Sequence, residues 1–484
     1  MSILDMDASE IAGRIRDGKL SSQQAVETYI KHLEAINPSI NCLVEDRFDT
    51  ARKEAIEADR KLKEGQSKGL LFGVPISVKE CFHVDGMKTT GGLLHRKDQV
   101  IEEDAEVVQR LKDEGAIILG KSNTPSLCFY QETVNPVYGA TNNPWDPTCS
   151  SGGSSGGEGA LMSVGGAAVG IGADIGGSIR FPSHFNGVIG FKSGMNQISQ
   201  KGNFPYIEYE EQQRMLGIGA MGKSVRDARL INRILSEKSS TIDDLSSFEM
   251  VVPQFYNCPL GVETGRLIRT IKEDFEDEFS MLVDEPPLFS ESTLIWQQLM
   301  SLDGGKALRK HLLVNEKQLS PYIEYVRSKV SKSDVHDYLS WAMIGMRLFQ
   351  PSKRRLDKIR GILKAGDERL RTYLDRRIIV MPVYHSPATT HGELYKELFS
   401  IQKTFLRYMP YIAYGNVWGL PSLTIPVGES AKGLPIAVQI MSRLGNEEAL
   451  FQFGEILEQR YRGFVRCDKY DQKQKQEGAT AHLA

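Results

Sequence analysis

No stretch of this sequence approaches the ~20 consecutive apolar residues needed to cross a bilayer as a helix. It also has no C-x-x-C pair, and its six cysteines, at positions 42, 81, 128, 149, 258 and 467, follow no regular spacing. That excludes the common zinc frameworks and gives no pattern for a disulfide scaffold, so the thiols read as reduced and the compartment as cytoplasmic. An excess of positive charge is missing too. With 59 Lys and Arg against 62 Asp and Glu the net charge is −3, which offers no basic surface to nucleic-acid phosphates. The opening residues, MSILDMDASEIAGRIRDGK, lack the basic-then-apolar order of a secretory signal. There is no internal repeat of solenoid type.

What is present is an ordinary globular composition, 40% apolar and 25% charged over 484 residues. That length allows up to about three domains of ~150 residues, or one large α/β unit. The first sixty residues read as helical: Ser21 with Gln24 fits a capping box, and Ala25, Tyr29, Leu33 and Ile36 recur at helical spacing. GVPISVKECF is strand-like, AEVVQRLKDEG helix-like and AIILGK strand-like again, the alternation expected of an α/β fold with a largely buried sheet. Residues 150–178 are dominated by Gly and Ser, yet Leu161, Met162, Val164, Val169 and Ile171 interrupt them, and a flexible linker has no use for those. Residues 236–378 are mainly helix-like and charged; strand signals return in RRIIVMPV, PSLTIPVG and LPIAVQI.

Two short motifs fail on their surroundings. GAIILGKS satisfies the P-loop pattern, but its variable positions are Ala-Ile-Ile-Leu, a strand rather than a phosphate-cradling loop, and Asn-Thr-Pro follows where a helix should begin. GGSSGG contains G-x-S-x-G twice, but turn formers precede it where a nucleophile elbow needs a strand. A Ser-His-Asp enzyme using His184 is the weaker reading, because a lone His among apolar and aromatic residues is more often structural.

Three other pieces fit together. Lys79 and Glu80 should face opposite sides of their strand, so Lys79 would enter a buried site without its neighbour's carboxylate. Burial disfavours a charged ammonium, which makes such a lysine usable as a base. Ser154 sits between glycine pairs. Ser178, 24 residues later, follows Ile175-Gly176-Gly177, whose successive N–H groups can converge as a nest for a developing oxyanion.

GVPISVKE, GGSSGGEGALMSVGGAAVGIGADIGGSIRFPSHFNGVIGFK, NVWGLPSLTIPVG and GLPIAVQIM together resemble the amidase signature family, strongly over about 70–195 and again over about 416–460. Glu158 and IGGSIRFPS look most like its fatty acid amide hydrolase branch. The resemblance implies one mixed, twisted β-sheet covered by helices on both faces. The expected layout is an N-terminal helical segment over 1–65, a catalytic domain over 66–467 with a divergent helical part at about 236–378, and a polar tail over 468–484. It implies an amide hydrolase without metal or cofactor, acting on a small-molecule amide that is fatty acyl in the nearest branch. Ser178 would be the nucleophile, Ser154 the bridging serine and Lys79 the base. Ile175, Gly176, Gly177 and Ser178 would supply the oxyanion hole, Ser155, Asp174 and Arg180 would support the site, and the Gly153–Ser154 peptide would be cis.

Ser151 and Ala220 depart from the family pattern without touching the proton path. The membrane-spanning N-terminal helix of the animal fatty acid amide hydrolases has no counterpart here. Two alternatives stay open: the catalytic subunit of a tRNA-dependent amidotransferase, and a non-catalytic binding protein on the same fold. YLSWAMIGMRLF places Leu339, Met343, Met346 and Phe349 on one helical face near Trp341, ahead of Lys353, Arg354, Arg355, Lys358 and Arg360. That face is a candidate for peripheral membrane contact, or else for the core or a homodimer interface.

Overall fold

Eleven strands form one mixed sheet in the computed structural model, which describes residues 2–237, 244–254, 258–314, 317–330, 333, 335–399 and 404–471. They are β1 (Leu43–Asp46), β2 (Pro75–Lys79), β3 (Ile117–Ser122), β4 (Val169–Asp174), β5 (Ile189–Lys192), β6 (Gly217–Gly222), β7 (Glu249–Val251), β8 (Met281–Leu282), β9 (Arg377–Pro382), β10 (Ser422–Glu429) and β11 (Pro435–Met441). Their order is β1-β3-β2-β4-β6-β5-β10-β11-β9-β7-β8. β3, β2 and β4 run parallel, as do β9, β7 and β8, and the pairs between these two blocks are antiparallel.

The strand-like runs read from the sequence are β2, β3, β9, β10 and β11, whereas the glycine-rich β4 and β6 gave no such signal. Every residue of β2, β3, β4 and β6 is buried, as strands covered on both faces must be. Strand β9 shows the two layers directly. Ile378 and Val380 join a core with Phe275 and Phe453, while the alternate residues Ile379 and Met381 join a second core with Leu363, Tyr411 and Trp418, the period of two that a strand imposes.

The expected capping box is present: Gln24 N–H donates to Ser21 Oγ at 3.0 Å, and Ser21 N–H to Gln24 Oε1 at 3.0 Å. It opens α1 (Ser22–Ile40), whose Ala25, Tyr29, Leu33 and Ile36 are all buried. The Gly/Ser tract is not a linker. It forms α2 (Gly156–Ser163) and β4, buried throughout. A short helix, α3 (Arg180–Asn186), follows Ser178.

The helical reading of 236–378 holds in α4 (Phe289–Met300), α5 (Asp337–Leu348) and α6 (Lys353–Tyr373), but that stretch also contributes β7 and β8. The first sixty residues likewise contain β1, one of the sheet's two edge strands. Segments of two to four residues are too short to show a period. Three of the four residues on the α5 face proposed for membrane contact, Leu339, Met343 and Met346, are buried and take no part in such a contact. Leu339 and Met343 pack with Tyr130 and Leu127, and of the four only Phe349, 42% exposed, is turned outward. Among the described residues no helix is long and apolar enough to cross a membrane.

Candidate active site

Parallel neighbours β2 and β4 deliver their carboxyl ends to one edge of the sheet, where α/β folds commonly bind ligands. Lys79 is the last residue of β2 and Asp174 the last of β4. Lys79 is fully buried, and its Nζ donates to Ser154 Oγ at 2.6 Å. Glu80 faces the other way, as strand alternation requires: its carboxylate accepts from Thr90 N–H at 2.5 Å and Thr90 Oγ at 2.9 Å.

Beneath Lys79 lies Glu158, also fully buried, whose carboxyl accepts from Ser77 Oγ and, at 2.6 Å, from Ser122 Oγ. Burial pushes Glu158 up to about 7 against the pull of those hydroxyls and of Lys79. Its seat exists because Gly170 has no side chain, since a Cβ there would stand 1.7 Å from Glu158 Oε1.

Ser154 enters on a cis peptide from Gly153, and its carbonyl accepts from Thr124 Oγ1 at 2.9 Å. The next residue ties this segment to the other serine, with Ser155 N–H donating to Ser178 O at 3.1 Å. Gly177 adopts φ +95°, where a Cβ would come within 2.6 Å of the Phe181 ring, so the turn into Ser178 requires glycine.

Asp174 organises that turn: Oδ1 accepts from Gly177 N–H at 2.8 Å and Oδ2 from Ile179 N–H at 3.1 Å. The amide of Gly177 is therefore engaged. Those of Ile175, Gly176 and Ser178 have no acceptor among the described residues. Arg180 Nε and Nη2 each approach the Asp174 carboxylate at 3.0 Å. Burial alone would raise Asp174, but the guanidinium overrides it and holds the carboxyl well below the ordinary range. Asn416 and Gln439 complete this buried network. Asn416 Nδ2 donates to Asp174 Oδ1 at 2.9 Å, while Asn416 Oδ1 and Gln439 Oε1 accept from Arg180 at 2.5 and 3.1 Å.

Ser178 is 6% exposed against 1% for Ser154 and 0% for Lys79, so the access path to this group ends on Ser178. Two clefts reach it. One, of about 770 Å³, is also lined by Lys79, Ser154, Asn203, Glu208, Asp303 and His311. The other, of about 1080 Å³, is walled by Phe129, Trp296, Met300, Trp341, Met346 and Phe349 and is almost wholly apolar. Among the described residues no group of three or more His, Cys, Asp or Glu side chains is placed to hold a metal.

A family model described as Amidase matches residues 24–451. The chain belongs to the amidase signature family. As an amidase it acts on amide C–N bonds. It is 30% identical to human fatty-acid amide hydrolase 2, covering 97% of this chain and 91% of the relative. Identity is 28% to indoleacetamide hydrolase of Bradyrhizobium diazoefficiens, over 94% of this chain and 86% of that protein. It is also 28% to a glutamyl-tRNA(Gln) amidotransferase subunit of Clostridium acetobutylicum, over 95% and 99% respectively. Among solved structures, 6-aminohexanoate cyclic dimer hydrolase superposes with a TM-score of 0.80 at 23% identity, covering 96% of this chain and 99% of that one. At that identity the match speaks for the fold.

Within this amidase the rejected readings fall away on contacts. Lys121 of the P-loop-like string is a buried strand residue donating to Lys88 O at 2.5 Å and Thr89 Oγ1 at 2.7 Å. Both ring nitrogens of His184 are occupied, by Ser386 O at 2.9 Å and Ala437 N–H at 2.8 Å, so it braces the core. Of the supporting positions, Asp174 and Arg180 pair with each other, and Ser155 also contacts Ala173 O at 3.4 Å. Sequence reasoning gave no role to Asn416, Gln439 or Trp296. The first two lie inside NVWGLPSLTIPVG and GLPIAVQIM, so their signal was the motif that contains them. Trp296 carries none.

Proposed function

We propose that Ser178 is the nucleophile of an acyl-amide hydrolase, relayed through Ser154 to Lys79. The observation that carries this reading is the buried 2.6 Å contact between Lys79 Nζ and Ser154 Oγ, with Ser178 the most exposed of the three and the one that lines both clefts. Lys79, as the base, takes the Ser154 hydroxyl proton while Ser154 takes that of Ser178, whose oxygen then attacks the carbonyl carbon. The carbonyl oxygen becomes an oxyanion facing the amides of Ile175, Gly176 and Ser178, with Gly177 held by Asp174. As the tetrahedral centre collapses, the C–N bond breaks and the proton returns through Ser154 to the departing amine. Water then cleaves the acyl-enzyme by the same path in reverse.

The apolar cleft supports an apolar acyl group, since burying a methylene there gains ~0.8 kcal/mol. A glutamine substrate, as the amidotransferase reading requires, would bring a charged α-amino and α-carboxylate pair into that cleft, against Trp296, Met300, Trp341 and Met346. At the cleft's rim Leu348 and Phe349 are 71% and 42% exposed, next to exposed Lys353, Arg354 and Lys358, a surface suited to drawing an apolar substrate from an anionic membrane. The test is turnover of a panel of primary amides and anilides with acyl chains of two to sixteen carbons. kcat/KM should climb with chain length and vanish in Ser178→Ala. Turnover confined to the two- to four-carbon amides, or to glutamine assayed beside the panel, would refute the acyl assignment.

A further inference from the structure

We propose that Trp296 is a positioning residue for the oxyanion hole, acting through the carbonyl of Ile175; the proposal rests on the reading of Ser178 as nucleophile. Trp296 comes from α4, in the divergent helical region, and is half-buried. Its Nε1–H donates to Ile175 O at 2.9 Å. The Ile175 carbonyl and the Gly176 N–H belong to one peptide unit, and in a planar trans peptide those two groups point in opposite directions. Fixing the carbonyl against the indole therefore turns the Gly176 N–H to the other side of the plane, where it has no acceptor among the described residues.

Two further observations support this role. Gly176 leaves room for the ring, since a Cβ there would sit 2.7 Å from Trp296 Cζ2. The neighbouring peptide is fixed independently through Gly177 N–H and Asp174 Oδ1 at 2.8 Å, so Trp296 supplies the restraint that Asp174 does not. An oxyanion donor contributes only if it is aimed before charge develops. The indole N–H provides that aim from outside the loop, while the same side chain forms part of the apolar cleft's wall.

The experiment compares wild type with Trp296→Phe, which keeps an aromatic wall and loses the N–H. Rates are counted per site titrated with a fluorophosphonate, and a long-chain acyl anilide is the substrate. A trifluoromethyl ketone of the same chain, which forms a charged tetrahedral adduct, is measured beside the corresponding secondary alcohol. The proposal predicts that kcat/KM and ketone affinity both fall about tenfold, the scale of one hydrogen bond, with alcohol affinity and KM within about twofold. Replacing Trp296 by its benzothienyl analogue, which exchanges the N–H for sulfur at nearly constant shape, should give the same split should the Phe variant not fold. Wild-type ketone affinity in either variant, or a loss confined to KM, would overturn the proposal. Failure of the fluorophosphonate to label Ser178 in the wild type would instead overturn the nucleophile reading beneath it.

Discussion

Replacing Asp174 by Asn takes one charge out of a network with no exposed member, since Asp174, Arg180, Asn416 and Gln439 are all fully buried. The new side chain keeps the shape and can still accept from Gly177 N–H. The guanidinium of Arg180, 3.0 Å from each carboxylate oxygen, is left without a counter-charge. Breaking a buried pair from one side costs ~3–5 kcal/mol. Unfolding entropy of ~2.1 cal/mol/K per residue over 484 residues comes to about 1 kcal/mol/K, so melting should fall by ~3–5 °C. The double variant Asp174→Asn/Arg180→Met discards both charges and should lose at least ~2 kcal/mol less than the sum of the two single losses. pH gives a second signature. The folded-state pKa of Asp174 is depressed, so its contribution is present above the ordinary aspartate value and lost as pH falls below it. The Asn variant should lose that part of the acid sensitivity. Thermal melts of the four proteins at pH 7, with the acid limb of the profile, form the assay. Single losses under ~1 kcal/mol, or losses that simply add in the double variant, would refute the reasoning.

Lys79→Ala should lower turnover per folded molecule by 10³-fold or more, with melting little changed and the residual rate rising with hydroxide; near-normal turnover from a less stable protein would make Lys79 structural. For Glu158, whose folded pKa is raised to about 7, the folded state binds more protons than the unfolded one between about pH 4.5 and 7. Its contribution to stability therefore declines as pH rises through that window. Glu158→Gln should remove this decline, and a wild-type and variant difference that stays flat from pH 4.5 to 7.5 would contradict it. Burial holds His184 down to about 4, so its contribution is present above pH 6.5 and lost toward pH 4. His184→Gln should narrow the stability gap between pH 7 and pH 4.5, and an unchanged gap would count against a buried neutral imidazole.

Strands β2, β3, β9, β10 and β11 were legible because burial on both faces leaves apolar runs, and the Ser21–Gln24 cap because its partners are three residues apart. The opposed directions of Lys79 and Glu80 followed from strand period alone. What stayed hidden depends on tertiary approach. Asn416 and Gln439 reach Arg180 from 236 and 259 residues away, and no local pattern encodes such a distance. The apolar face of α5 was visible as a helical stripe, but a stripe does not say what covers it, and the body of the protein buries most of it. β7 and β8 are too brief to show alternation, and Trp296 looks like any aromatic on a helix until its N–H is seen to meet Ile175 O.

The central claim is that Ser178 carries the acyl group, and covalent trapping tests it most directly. Wild type, Ser178→Ala, Ser154→Ala and Lys79→Ala would each be incubated with a long-chain fluorophosphonate and the adduct mapped by peptide mass spectrometry. The account predicts one adduct per chain, on Ser178, absent in Ser178→Ala and formed far more slowly in the other two variants. An adduct on Ser154 or Ser155, or amide hydrolysis by Ser178→Ala above ~1% of wild type, would contradict it.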